Sequence, residues 1–255
     1  MMKREWMDIL HHEKVATDTY QMVLNGDIPG SGIRPGQFVH ILVDDNFFLR
    51  RPISIADVDE QAGTLTILYK VLGKGTKSLT AKQQGDKLDV LGPGGNGFPM
   101  EELKTKRALL IGGGIGVPPL HYLGRQLVEQ GIEVISVLGF QSKEYIFFEK
   151  QFNELGEVYV ATNDGSYGHH GFVTDILPGL EGRFDTYFSC GPAVMLKAVS
   201  KELTGYDGYL SIEERMGCGV GACFACVVPT PESDAKGYRK ICRDGPVFKP
   251  EEVVL

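Results

Sequence analysis

Arg107-Ala108-Leu109-Leu110-Ile111-Gly112-Gly113-Gly114-Ile115-Gly116-Val117-Pro118-Pro119-Leu120 passes from a continuous apolar run into a cluster of glycines. An amphipathic segment, Leu120 to Gln130, follows. That order predicts a buried strand, a tight turn and a helix. Glu133 to Gly139 reads as the next strand and Thr186-Tyr187-Phe188-Ser189-Cys190 as a later one, the alternation of a parallel sheet wrapped by helices. Glycines at such a turn let a pyrophosphate approach the backbone at a helix start, so Gly112, Gly113, Gly114 and Gly116 are predicted to bind a dinucleotide. The match to G-x-G-x-x-G is incomplete, because Val117 holds the last glycine position.

Upstream the texture is different. Gln37 to Val43 and Thr64 to Val71 show the alternation of half-buried strands, separated by turn signals such as Ile33-Arg34-Pro35-Gly36. Short strands at this spacing predict a small antiparallel barrel over residues 1–99, ahead of the α/β domain at 100–205. Residues 206–255 hold four of the five cysteines and are too few to stabilise themselves by apolar burial, so they need a staple and cover from neighbouring protein. The predicted fold class is therefore β plus α/β: a barrel, a Rossmann-like parallel sheet and a small C-terminal module.

The 255 residues are 42% apolar and 23% charged, ordinary values for a globular chain, and no apolar stretch is long enough for a membrane span. A net charge of -7 without a basic cluster argues against a nucleic-acid surface. The N-terminus, Lys3-Arg4-Glu5-Trp6-Met7-Asp8, lacks the apolar core of a secretory signal, so the expected location is the cytoplasm.

Cys218-Gly219-Val220-Gly221-Ala222-Cys223-Phe224-Ala225-Cys226 has the C-x4-C-x2-C spacing of plant-type two-iron clusters, with Cys242 as the fourth ligand. Small residues leave the loop room to curl around a 2Fe-2S centre and to point amides at its sulfurs. A four-cysteine zinc site or two disulfides are the alternatives, but zinc ribbons usually present two C-x2-C knuckles and here only Cys223 and Cys226 form one. The gap from Cys226 to Cys242 is shorter than in plant ferredoxins, so the module is a reduced one.

Arg51-Pro52-Ile53-Ser54 opens a strand, and Leu68-Tyr69-Lys70-Val71-Leu72-Gly73-Lys74-Gly75-Thr76 leads from the next strand into a helix-like segment. With the glycine turn and Ser189-Cys190-Gly191-Pro192-Ala193-Val194-Met195, these elements resemble the ferredoxin-NADP reductase superfamily. The resemblance implies FAD on the barrel, with Arg51 at its pyrophosphate, Pro52 and Ile53 beside it, and Ser54 at the isoalloxazine edge. It puts Leu68, Tyr69 and Lys70 at the ring and ribityl region, and Gly75 and Thr76 near the phosphates. Ile53 stands where the superfamily often has tyrosine. The same resemblance implies Cys190, Gly191 and Pro192 near a nicotinamide; a small buried thiol at a strand end is the alternative for Cys190. Thr162-Asn163-Asp164-Gly165 is expected at the nucleotide through Asp164, although an ordinary turn explains it equally. Phe140-Gln141-Ser142-Lys143 offers no arginine pair for a 2'-phosphate, which favours NAD over NADP. His169-His170 lies in a glycine-flanked loop and is expected to be exposed rather than to bind metal.

A nicotinamide exchanges a hydride and a two-iron cluster takes single electrons, so a flavin between them makes the chain a converter, with no catalytic acid or base demanded of the protein. Arg50 to Ile55, Gly112 to Pro119, Glu213 to Cys226 and Cys242 to Phe248 together resemble the electron-transfer subunit of B-type dihydroorotate dehydrogenase, over essentially the whole chain. This implies FAD, a 2Fe-2S cluster and NAD as acceptor. It also implies a separate catalytic subunit whose FMN oxidises dihydroorotate in pyrimidine biosynthesis, in a heterotetramer of two of each chain. A reductase subunit for another acceptor (sulfide dehydrogenase, hydrogenase or oxygenase component) and a non-enzymatic redox sensor are the other readings.

Overall fold

The computed structural model describes residues 2–44 and 46–255. Its first six strands are β1 (Lys3–Ala16), β2 (Thr19–Asn25), β3 (Phe38–Leu42), β4 (Arg51–Asp59), β5 (Thr64–Lys70) and β6 (Lys87–Gly94). They close into an antiparallel barrel in the order β1-β2-β5-β4-β3-β6. Alternation along each strand sends Met7, Met22, Ile41, Ile55, Ile67 and Val90 inward to one core. A short helix, α1 (Lys74–Leu79), follows β5.

The second layer starts where the apolar run predicts it, with β7 (Arg107–Gly113), α2 (Val117–Glu129) and β8 (Glu133–Phe140). Then come α3 (Glu149–Asn153), β9 (Gly156–Thr162), β10 (His169–His170), β11 (Thr186–Cys190), α4 (Ala193–Glu202) and β12 (Asp207–Ser211). The sheet order is β10-β9-β8-β7-β11-β12-β15, parallel except at its last strand, β15 (Val247–Phe248). Between β12 and β15 lie the cysteine loop, a small ribbon of β13 (Val227–Pro229) and β14 (Tyr238–Lys240), and the single turn α5 (Ile241–Asp244).

No part stands alone. One apolar cluster joins Phe38 of the barrel to Leu109, Tyr187 and Leu210 of the sheet and to Val228, Ile241 and Phe248 of the tail. On the other side, α2 packs on the barrel as well as on its own sheet: Tyr122 Oη donates to the Ile33 carbonyl at 3.0 Å, and Arg125 pairs with Asp57. The cover that the short tail requires thus comes from this chain's own barrel and sheet. No described helix is long and apolar enough to cross a membrane.

Candidate redox centre

Three sites meet where barrel, sheet and tail converge. The first is a cavity of about 200 Å³ whose barrel wall is formed by Arg51, Pro52, Ile53, Ser54, Tyr69 and Lys70. Thr76 and Ile115 also reach it, and Glu213 and Met216 close it from the tail. Arg51 lies against α1 so closely that a Cβ on Gly75 would run into its guanidinium. Phe47 lies under the same guanidinium, 5.2 Å from its centre, and Arg51 also donates to the Leu49 carbonyl. Thr76 Oγ1 accepts the main-chain N–H groups of Leu72 and Gly73 at 3.0 and 3.3 Å and so fixes the turn into α1. Leu68 is the exception among the barrel residues: although it shares a face of β5 with Lys70, it is buried in the core shared with Leu110 and Leu120.

The second site is a larger cleft, about 680 Å³, at the C-terminal ends of the parallel strands, where open α/β sheets bind ligands. Gly113, Gly114, Gly191 and Pro192 line it, with Gln141 and Asn163 at its other wall. The four glycines of the turn divide their work. Gly112 and Gly116 serve packing, since side chains there would meet Val117 and the backbone of Cys190 respectively, whereas Gly113 and Gly114 border the cleft, Gly113 also packed against Met195. Cys190 ends β11 fully buried behind that wall, and burial raises its thiol well above the ordinary value. Asp164 turns into its own loop: its carboxylate accepts from Ser166 N at 3.0 Å and Ser166 Oγ at 2.6 Å. His169 and His170 form an exposed edge strand.

Glu213 borders both cavities. Ser54 Oγ donates to its Oε1 at 3.2 Å, tying barrel to tail across the cavity. Burial pushes its carboxyl up to about 7, against the pull of Ser54. Its side chain is nonetheless exposed along the cavity walls, and solvent there weakens that upward push. No motif or periodicity singles out Glu213 in the sequence; its place just upstream of Cys218 is the one available signal.

The third site is the cysteine loop. Its thiols lie within each other's electrostatic reach: Cys218 with Cys223, and Cys242 with both Cys226 and Cys218. Backbone amides address the sulfurs as the small residues predict. Cys223 N and Val220 N donate to Cys218 Sγ at 3.3 and 3.5 Å, and Gly221 N donates to Cys242 Sγ at 3.2 Å. Burial raises Cys218, but the amides outweigh it and hold the thiol down at about 6; Cys242, more enclosed and beside Cys226, is pushed up to about 12. Among the described residues the cysteines are free of disulfides, and no three metal-ligating side chains converge as around a single ion. The ring of His40, on β3, lies directly beneath, where a Cβ on Gly219 would strike it. His40 is fully buried with neither ring nitrogen partnered, and burial, then the Arg50 charge, lowers it to about 4.

Residues 213–254 match the family described as the iron-sulfur cluster binding domain of dihydroorotate dehydrogenase B. Over its whole length the chain is 50% identical to the full electron transfer subunit of dihydroorotate dehydrogenase B (NAD(+)) of Geobacillus sp. (strain WCH70). It is 51% identical, over 99% of both chains, to the subunit of the same name in Shouchella clausii (strain KSM-K16). Among solved structures, a chain of the NADH-dependent reduced ferredoxin-NADP oxidoreductase superposes with a TM-score of 0.88 at 32% identity, covering 98% of this chain and 90% of its own. The similarity thus runs the whole length of the chain, and the chain belongs to the family of electron transfer subunits of dihydroorotate dehydrogenase B.

Proposed function

We propose that this chain carries FAD on its barrel (1–99), receives NAD+ on its parallel sheet (100–205) and holds a 2Fe-2S cluster in its tail (206–255). It passes electrons from the FMN of a dihydroorotate dehydrogenase catalytic subunit to NAD+, in the biosynthesis of pyrimidines. The observation that carries this reading is the convergence at Glu213: one side chain borders the flavin cavity and the nicotinamide cleft, just upstream of the first cluster cysteine. The assembly is a heterotetramer of two of each chain, working in the cytoplasm.

The donor set suits a two-iron centre. Cys218, Cys223, Cys226 and Cys242 would together hold the two irons, in the C-x4-C-x2-C spacing of plant-type centres rather than the paired C-x2-C knuckles usual in zinc ribbons. The amides of Val220, Gly221 and Cys223 stabilise the thiolates, and the unpartnered nitrogens of His40 face the loop from below. On the barrel, Arg51 pairs with the FAD pyrophosphate beside Gly75 and Thr76, while Tyr69 and Lys70 wall the ring. When bound, FAD supplies the exchange between hydride and single-electron chemistry. Ser54 and Glu213 bracket the edge of its cavity, with Ser54 Oγ donating to Glu213 Oε1 across it. Gly113, Gly114, Gly191 and Pro192 admit the dinucleotide, and Gln141 stands where an arginine pair would select a 2'-phosphate.

Co-purification with the partner, followed by cofactor extraction, tests the proposal. FAD, FMN, iron and acid-labile sulfide are expected together, with dihydroorotate reducing NAD+ only when both chains are present. A partner without FMN would instead indicate a reductase for another acceptor. A chain whose flavin is not bleached by NADH would indicate a redox sensor.

A further inference from the structure

Lys240 ends β14 and stands two residues before Cys242. It is only 7% exposed, an uncommon place for lysine. Its ammonium donates to the Gly221 carbonyl at 2.7 Å and lies 4.0 Å from the centre of the Phe224 ring. Both partners belong to the cysteine loop. The acid nearest in sequence, Asp244, is engaged elsewhere. It accepts from the main-chain N–H of Lys240 at 2.7 Å and from Arg243 Nε at 2.9 Å, and Lys236 stands 3.6 Å away. Among the described residues no carboxylate pairs with the Lys240 ammonium.

An enclosed cation without an anion is unfavourable, and a neutral donor would suffice to hold one carbonyl. The missing negative charge has an obvious source beside it. Four thiolates, two ferric ions and two sulfides sum to a dianion, and one electron adds a further negative charge by turning one ferric ion ferrous. Resting on the cluster reading above, we propose that Lys240 is the counter-charge of this centre, a positioning residue that favours its reduced form and so raises its reduction potential.

The local architecture suits that task. Gly221 links the two groups, its N–H directed at Cys242 Sγ and its carbonyl at Lys240 Nζ. The exposed Phe224 ring covers the ammonium and limits screening by solvent. Arg243 lays only its aliphatic stem along Gly221 while its guanidinium serves Asp244, so of the two cations against Gly221 only Lys240 is without a carboxylate.

The test is an EPR-monitored redox titration of the anaerobically reconstituted full chain, comparing wild type with Lys240→Gln and Lys240→Arg. Glutamine retains a donor for the Gly221 carbonyl and loses the charge. Poised at the wild-type midpoint, Lys240→Gln is expected to show a ratio of reduced to oxidised cluster lower by about tenfold or more, with Lys240→Arg close to wild type. A Lys240→Gln chain that assembles the cluster and titrates like wild type would make Lys240 a mechanical clamp and overturn the proposal. Loss of the cluster in Lys240→Gln but not in Lys240→Arg supports a need for the charge, whereas loss in both overturns it. Wild-type chain that takes up zinc without acid-labile sulfide removes the cluster reading itself, and the proposal with it.

Discussion

Single residues at the centre act through charge and proton occupancy. Arg51, held against Gly75, would give a bound FAD pyrophosphate charge-assisted hydrogen bonds worth about 1.5–3 kcal/mol, so Arg51→Ala is expected to weaken FAD retention by roughly ten- to a hundredfold. Equilibrium dialysis of the flavin checks this, and unchanged retention would remove Arg51 from the site. Replacing any of Cys218, Cys223, Cys226 or Cys242 by serine should abolish the acid-labile sulfide while FAD remains; sulfide surviving all four changes would refute the ligand set. Glu213 yields a pH prediction. Its carboxyl is raised from 4.5 to about 7 in the folded chain, so between those values the folded state keeps a proton that the unfolded state has released. Its contribution to stability is complete below 4.5 and is lost as pH rises towards 7. Glu213→Gln should flatten that part of the stability profile, read from urea midpoints across the window. Parallel profiles for the two proteins would show that Glu213 ionises normally.

At the scale of elements, the turn from β7 into α2 is constrained by close backbone approach. A methyl group at Gly116 would meet the Cys190 carbonyl and the Gly191 nitrogen, atoms of a buried strand end that cannot move aside. Gly116→Ala is therefore expected to cost about 1–3 kcal/mol, seen as a lower denaturation midpoint. A midpoint equal to wild type would mean that the turn yields. This element was legible in the sequence because an apolar run, glycines and an amphipathic stretch follow one another within a single segment. The roles inside it were not. All four glycines look alike as letters, yet two border the cleft and two let the helix lie close to the sheet. Leu68, expected at the ring and ribityl region, is covered by the sheet domain instead, and Cys190 takes the alternative of a buried thiol at a strand end.

At the scale of the whole molecule, the tail is a structural member of the sheet. Strand β12 extends the sheet in parallel and β15 closes its edge antiparallel, and Ile241 and Phe248 share a core with Phe38 of the barrel. Removing residues 206–255 should therefore not leave a well-folded flavoprotein; the shortened chain is expected to expose apolar surface, bind a hydrophobic dye and lose its flavin. A monomeric, flavin-loaded fragment of normal stability would contradict that. The sequence alone determined the three kinds of structure, the spacing of the tail cysteines and the order of segments along the chain, because these rest on local patterns: alternation, glycine turns and cysteine spacing. Only the tertiary structure decided that Glu213 borders two cavities, that Lys240 is enclosed without a carboxylate and that His40 lies beneath the loop. Those relations join segments far apart in the chain, or depend on which nearby groups are already engaged, and no local pattern records either.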